Sequence, residues 1–562
     1  METHPGSTTE AAPRRDLRKN IASALSRLAT LQPRQSAVVI PGRGGRGVRA
    51  SWSYAELDTR SAALASGLES VGVGRGSRCV VMVPPGLEFF SLIFALLRSG
   101  IVPVVVDPGM GFRNLRQCLC EARPDAFIGI PRANAARAVL GWARETVRTV
   151  VTTGPFRLGR GFTLRDLESR GLSAPAKEPV ALGDQETAAI LFTSGSTGPP
   201  RGAVYTHSNF AAQVEALRTT YSIEPGEIDL CTFPLFALFA PALGMTAVVP
   251  DMDPTHPARA DPERLLRTAR EFGATNFFGS PALIRNVGHY ASRTGFRVPT
   301  LRRAISAGAP VPAKAIEKFL AVLPPGAQVF TPYGATEALP VSSIGSDEIL
   351  GVTRRLTDEG KGICVGRAAG EVEIEIIRVS DEPIPTWSPA LRVRDGEIGE
   401  IAVRGDIVTT EYFGRPEATR LAKISTGTGI LHRMGDLGWR DGQGRIWFCG
   451  RKSHRVHTPE GVLYTIACEA VFNTLAGISR TALVGVQRTG SVEPALVVEL
   501  DSHIRSNQRA RLARELCEIA QRYPHTQTIK KVLFHPRFPV DIRHNAKIAR
   551  EKLARWAAKR LP

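Results

Sequence analysis

No stretch of this 562-residue chain is apolar for long enough to cross a bilayer: the most apolar window, residues 89–97, is bounded by Glu88 and Arg98. A helical span needs about 20 such residues. The opening METHPGSTTEAAPRRD has no apolar core, so neither a secretory leader nor an anchor is expected. The eight cysteines, Cys79, Cys118, Cys120, Cys231, Cys364, Cys449, Cys468 and Cys517, are scattered without paired ligand spacing. That excludes a secreted disulfide framework and suggests reduced thiols in a cytoplasmic protein. Acidic residues are in deficit, 53 against 72 Lys and Arg, for a net charge of +19. Such an excess favours anionic partners: nucleotides, acidic lipid surfaces or nucleic acid. Arginine far exceeds lysine, a bias that a GC-rich genome produces by itself, and nucleic-acid binding is not expected. The nucleotide-binding spacing GxxxxGK[ST] is also missing.

What is present is enough chain, at 43% hydrophobic residues, to bury more than one core, and the length suggests a large enzyme of several subdomains. Residues 1–16 are polar and expected to fray. Residues 17–31 have helical spacing, and 36–40 reads as a strand before the loop GRGGRG (42–47), expected to be a solvated turn. From Ser53 to Pro108, amphipathic helices alternate with short valine-rich runs, which predicts an α/β sheet covered on both faces. A helix is predicted over 208–221, and helix and strand continue to alternate over 264–278. Residues 371–404 alternate with period two, which predicts a small, barrel-like β subdomain.

Three runs carry the chemistry. The first, ILFTSGSTGPPRGAVY (190–205), joins an apolar strand to a loop rich in Gly and hydroxyls. Gly195 and Gly198 free the backbone, Thr193, Ser194, Ser196 and Thr197 bring hydroxyls beside exposed amides, and Arg201 adds a fixed charge, together a phosphate cradle. In the second, Ser306, Ala307, Gly308, Ala309 and Pro310 follow a buried strand and leave room for a flat ring. The third, VFTPYGATEA (329–338), sets Tyr333, Gly334, Thr336 and Glu337 within one short run. The run DLCTFPLFALFA (229–240) fits either an acyl pocket or plain core packing.

These runs resemble the adenylate-forming superfamily of acyl-CoA synthetases, luciferases and peptide-synthetase adenylation domains, and the likeness covers nearly the whole chain. It implies ATP and Mg²⁺ as cofactors. It assigns Gly308, Ala309 and Pro310 to the adenine site, with Tyr333 stacking on the base and Gly334 and Ala335 beside it. It further assigns Thr336 to the α-phosphate, Glu337 to the metal, Asp436 to the ribose hydroxyls and Arg451 to the nucleotide. Lys547 takes the place of the catalytic lysine that bridges substrate carboxylate and α-phosphate. The expected architecture is a large N-terminal domain of α/β subdomains with the small β subdomain (1–453), then a small mobile α+β domain (454–562) carrying Lys547.

Several positions depart from the family pattern. The phosphate loop ends in Pro200-Arg201-Gly202 where the family has Pro-Lys-Gly. Ala237 stands where relatives carry His, which with Phe233, Phe236 and Phe239 would enlarge an apolar space. His454 replaces the Asp or Lys of the hinge and is expected to be a solvated linker residue. In VHTPEGVLYTIACE (456–469), Glu469 survives but Thr465, Ala467 and Cys468 do not match, which weakens the case for CoA as acceptor. Arg543, His544, Asn545 and Ala546 precede Lys547 where the family has Ser-Gly. The basic C-terminal tail is expected to be a solvated helix face, with peripheral membrane contact left open.

Taken together, the departures resemble the β-lactone synthetases of bacterial long-chain olefin biosynthesis. That likeness implies a long-chain 2-alkyl-3-hydroxy acid as substrate, adenylated and then closed on itself by its own hydroxyl. It also implies a reductase and an α/β-hydrolase as pathway neighbours. His454, His544 and the phosphate itself are the candidates for accepting the hydroxyl proton. Two other readings stand: a long-chain fatty acyl-CoA ligase or acyl-AMP ligase, and a noncatalytic lipid-binding scaffold.

Overall fold

The computed structural model describes residues 20–157, 159, 161–193, 199–488, 490–501, 504–540 and 547–561. The chain opens on α1 (Ser23–Leu31), β1 (Ser36–Pro41) and β2 (Val48–Ser53). β1 and β2 pair antiparallel across the GRGGRG turn. Ser53 then caps α2 (Tyr54–Glu69) in a reciprocal box with Glu56, so the strand ends where the helix begins.

Seven strands follow: β3 (Arg78–Met82), β4 (Val102–Val105), β5 (Ala126–Gly129), β6 (Thr149–Thr152), β7 (Phe162–Thr163), β8 (Thr187–Phe192) and β9 (Gly202–Thr206). They form one sheet in the order β7-β6-β5-β3-β4-β8-β9, parallel except for the β8–β9 hairpin. Their crossovers are α3 (Leu87–Arg98), α4 (Phe112–Ala122), α5 (Pro131–Leu140) and α6 (Leu164–Leu172). The chain steps from β3 to β4 in one direction, then back past β3 to β5 and on to β6. Right-handed crossovers must then put α3 on one face and α4 and α5 on the other. The cores agree. Cys79 and Val81 pack with Phe90, Ile93 and Phe94 of α3. Val80 packs with Leu115 and Leu119 of α4, and Ala133 and Ala136 of α5 lie against the same cluster.

After β9, Thr206 caps α7 (His207–Tyr221). Twelve more strands come next: β10 (Ile228–Cys231), β11 (Thr246–Val248), β12 (Asn276–Phe278), β13 (Arg303–Ile305), β14 (Gln328–Ala335), β15 (Ala338–Gly345), β16 (Ile363–Ala368), β17 (Glu373–Ile377), β18 (Gly399–Arg404), β19 (Lys423–Ser425), β20 (Ile430–Arg440) and β21 (Ile446–Arg451). With β1 and β2 they make a 14-stranded sheet running β17-β18-β20-β21-β16-β15-β14-β13-β12-β10-β11-β1-β2, with β19 beside β20. Among the described residues this path does not close on itself. The small β subdomain is therefore an open, antiparallel continuation of the large sheet.

From Val456 onward the chain forms a hairpin, a three-stranded sheet and helices Thr465–Phe472, Arg509–Arg522 and Arg550–Ala558. Leu553 and Ala557 of the last helix are buried against Ala482, Val484 and Val497. The apolar side of the basic tail is thus covered by the three-stranded sheet. No helix among the described residues is long and apolar enough to cross a membrane.

Candidate active site

A cavity of about 1150 Å³ opens between the two large sheets, and most of the expected site residues that fall among the described residues line it. Thr193, Arg201, Gly308, Gly334, Ala335, Thr336, Glu337, Arg451 and Lys547 all stand in its wall. Ser194, Gly195, Ser196, Thr197 and Gly198 lie outside the described residues, as do Arg543, His544, Asn545 and Ala546. Ala309 and Pro310 follow Gly308 on the loop after β13 and, like Tyr333 and Asp436, are not in the wall.

The β8–β9 hairpin flanks the loop expected to cradle phosphate, which is why no helix follows that loop. Thr193 N donates to Arg201 O at 2.9 Å, and Arg201 N donates to Thr193 Oγ1 at 3.3 Å. Opposite it, β14 and β15 form a hairpin whose two-residue tip is Thr336 and Glu337, between the paired Ala335 and Ala338. Tyr205 of β9 donates to the Thr336 carbonyl, locking one hairpin to the other.

Asp436 and Arg451 face each other as strand partners on β20 and β21. The carboxylate is 3% exposed. Tyr333 donates to its Oδ2 at 2.7 Å. Arg451 Nη1 stands 3.1 Å from Oδ1 as an ion pair, yet Oδ1 has no hydrogen-bond partner. Burial raises the Asp436 pKa, and the positive charge of Arg451 and the Tyr333 hydrogen bond oppose that rise. Lys547 also acts on Asp436 through its charge, and it stands in the wall of the same cavity as Arg451. A buried carboxylate oxygen lacking a donor fits a sugar hydroxyl. The Tyr333 ring meets Phe448 at 6.1 Å, and its hydroxyl is committed to Asp436.

The deep wall is apolar. Phe236 stacks on Phe278 at 4.1 Å, and Phe233 and Phe239 complete the group, all four lining the cavity. The aromatic run is therefore pocket rather than core alone. Ala237 corrects the expectation made for it: the residue is buried in the core and absent from the cavity wall, because the short helix Pro234–Ala237 turns its methyl inward. His454 is a second correction. Its side chain is 9% exposed, with Nε2 3.4 Å from Glu551, and burial, followed by the charge of Arg550, pushes its pKa down to about 4. It is a sheltered neutral ring, not a solvated linker residue.

Sequence reasoning missed a cluster behind Glu337. Tyr412 donates to Glu337 Oε1 at 2.6 Å, and the Arg201 guanidinium lies 5.4 Å from the Tyr412 ring centre. Lys423 is buried next to it, bonded to the Thr409 carbonyl, and burial brings its pKa down to about 7. A lysine inside the strand run KIS was the signal available, since lysine is almost never buried without a partner.

Residues 25–413 match the model of the AMP-binding enzyme family. The chain belongs to that family. This AMP-binding enzyme is 50% identical over 96% of its length to an olefin β-lactone synthetase of Xanthomonas campestris pv. campestris, covering 97% of that protein. It is 49% identical to one of Stenotrophomonas maltophilia, over 96% of this chain and 98% of that one. Among solved structures, ATP-bound MatB from Rhodopseudomonas palustris is similar in fold, with TM-score 0.75 and 23% identity, covering 96% of this chain and 99% of that one. The enzyme is thus of the adenylate-forming kind expected from its motifs.

Proposed function

We propose that the enzyme activates a long-chain 2-alkyl-3-hydroxy acid with ATP and closes it to a β-lactone, releasing pyrophosphate and AMP. The observation that carries this reading is a single cavity in which an aromatic, apolar depth meets Thr193, Arg201, Thr336, Glu337, Arg451 and Lys547, in a chain about half identical to proteins named olefin β-lactone synthetase.

In the first step a carboxylate oxygen of the acid attacks the α-phosphorus and the bond to pyrophosphate breaks. Two anions must meet, so cations have to be held at the point of contact. Arg201 is fixed at the neck of the phosphate loop, Arg451 is held by Asp436, and Lys547 reaches in from the C-terminal segment. The donor set at Glu337 suits Mg²⁺, which typically takes one or two protein carboxylates and fills its shell with phosphate oxygens and water. No cluster of three or more potential ligand side chains occurs among the described residues. When bound, the ion would neutralise phosphate charge; Glu337 would hold it, and Tyr412 would orient Glu337.

In the second step the 3-hydroxyl oxygen attacks the acyl carbon, the bond from that carbon to the phosphate oxygen breaks, and AMP leaves. Nucleophile and electrophile belong to one bound molecule, so the site needs only to hold the chain folded. His454 does not line the cavity and His544 lies outside the described residues, so the departing phosphate and His544 stand as the candidates for accepting the proton. We place residues 1–453 in the nucleotide and acyl domain and residues 454–562 in a mobile domain that delivers Lys547.

Product analysis by NMR, with ATP, Mg²⁺ and the hydroxy acid, with and without CoA, tests this reading. Lactone formed without CoA supports it. Acyl-CoA formed only when the thiol is present overturns it in favour of a ligase, and no pyrophosphate release from any acid would leave a binding scaffold.

A further inference from the structure

The cavity wall is drawn from two separate cores. Val81, Phe89, Ile93, Phe94 and Phe239 belong to the core on the α3 face of the seven-stranded sheet. Val106, Leu115, Trp142 and Phe192, with Met82, Ala133 and Ala136 packed on them, belong to the core under α4 and α5, on the opposite face. One cavity therefore reaches both sides of one sheet.

Strand geometry explains how. Side chains alternate between faces, and adjacent residues at the carboxyl ends of β3 and β8, Val81 with Met82 and Leu191 with Phe192, all line the cavity. The strand order reverses at β3 and β4, and such a switch point opens a crevice at the carboxyl ends of the strands. The rim there is Val83, Pro84 and Pro85 after β3 and Ile130 after β5; the two prolines offer no amide donor. The fork at Leu191 and Phe192 immediately precedes Thr193, at the neck of the phosphate loop.

From this we infer that the enzyme has two alkyl-binding arms, one on each face of the sheet, and that the second, lined by Met82, Leu115, Ala133, Ala136 and Trp142, takes a hydrocarbon chain of its own. The inference rests on the proposed substrate, whose two chains diverge at the carbon next to the carboxylate. Such an acid needs a cavity that divides right beside the phosphate site, and a straight-chain acid does not. The second arm ends at Phe112, which is 73% exposed and lies 6.3 Å from Trp142, so this arm reaches the surface and accommodates chains of varied length. The first arm ends among the buried Ile21, Phe94 and Leu97 and sets a fixed limit.

The test is chain-length selectivity in the full-length enzyme carrying Ala136→Phe or, separately, Ala133→Leu. Two series of acids are compared by kcat/KM for lactone formation, one lengthened only at the 2-alkyl branch and the other only at the 3-hydroxyalkyl chain. Blocking the second arm should lower kcat/KM for long members of one series by about tenfold for every two methylenes excluded. Long members of the other series, and short members of both, should stay within about twofold of wild type. Turnover of the short acids shows that the variants fold and react. Equal losses in both series, or no loss in either, would overturn the two-arm inference while leaving lactone synthesis intact. Wild-type enzyme that makes no lactone from any member would instead refute the underlying function.

Discussion

The Tyr412 hydroxyl donates a 2.6 Å hydrogen bond to Glu337 Oε1 across 75 positions of sequence, and the same tyrosine carries the Arg201 guanidinium against its ring. One side chain thus ties the phosphate-loop cation to the carboxylate assigned to the metal. Tyr412→Phe keeps the ring and removes the donor. Loss of a hydrogen bond to a charged group is worth about 1.5–3 kcal/mol, so acid activation should slow by about tenfold to a hundredfold and require more Mg²⁺. Pyrophosphate release followed across a Mg²⁺ titration checks this; a wild-type titration curve would deny Tyr412 that role.

Lys547 acts, in this reading, only on the first step. Lys547→Met should cut pyrophosphate release by about a hundredfold or more, as loss of a cation aimed at developing charge does. Lactone closure from a supplied acyl-adenylate should persist. Single-turnover measurements of the two steps distinguish these, and equal loss in both would place Lys547 in lactone closure as well.

Arg550 follows Lys547 by three residues and clamps Glu469, with contacts of 2.6, 2.7 and 3.2 Å. Glu469 Oε1 also accepts from Leu483 N at 2.8 Å. The Glu469 side chain is 5% exposed and that of Arg550 12%. Glu469→Ala strands a buried guanidinium, which costs about 3–5 kcal/mol, and loosens the segment that carries Lys547. Thermal unfolding should shift down and activation should fall with it. Adding Arg550→Met should recover part of the melting temperature; a melting temperature unchanged in Glu469→Ala would show the clamp to be idle.

His207 is buried and accepts from Ile21 N at Nδ1, 3.2 Å away. Burial pushes its pKa down to about 4. Between that value and about 6.5, the ordinary histidine value, the unfolded chain binds a proton that the folded chain refuses. Stability therefore falls as pH drops through this window and is regained as pH rises. Urea midpoints measured from pH 7 down to 4 should decline less steeply in His207→Gln than in wild type. Identical slopes would show that the ring charges freely in the fold.

Several of the residues that the fold gathers around one cavity were legible because they lie close together in sequence. Thr193 and Arg201 flank one loop, Thr336 and Glu337 make one hairpin tip, and Gly308 lies on the loop just after one strand. In each, a short run sets both residue type and spacing, and a hairpin or strand end needs only near neighbours to form. The alternation of helix and strand likewise predicted the α/β sheet with covered faces, since period and composition reflect which side chains are buried.

Legibility failed where position depends on distant partners. Ala237 read as pocket because its neighbours Phe233, Phe236 and Phe239 line the cavity, but a single helical turn directs its methyl into the core instead. His454 read as solvent-exposed because linkers usually are, and only the docking of Glu551 and Arg550 beside it removes the water. Tyr412 and Lys423 carried no motif, since their contacts, with Glu337 75 positions away and with Thr409 14 positions away, are made only once the chain is folded.

By itself, then, the sequence determined which short runs carry candidate chemistry, the Gly and hydroxyl loop ending at Arg201 and the Thr336–Glu337 tip, while Asp436, Arg451 and Lys547 came from family resemblance and the pairing of Asp436 with Arg451 came only with the fold. Only the tertiary structure decided the shape of the space that chemistry serves. Which helix covers which face of a sheet follows from strand order and crossover handedness, and neither is encoded in the period of any one segment. The cavity that reaches past both Val81 and Met82 exists because the chain doubles back at β3 and β4.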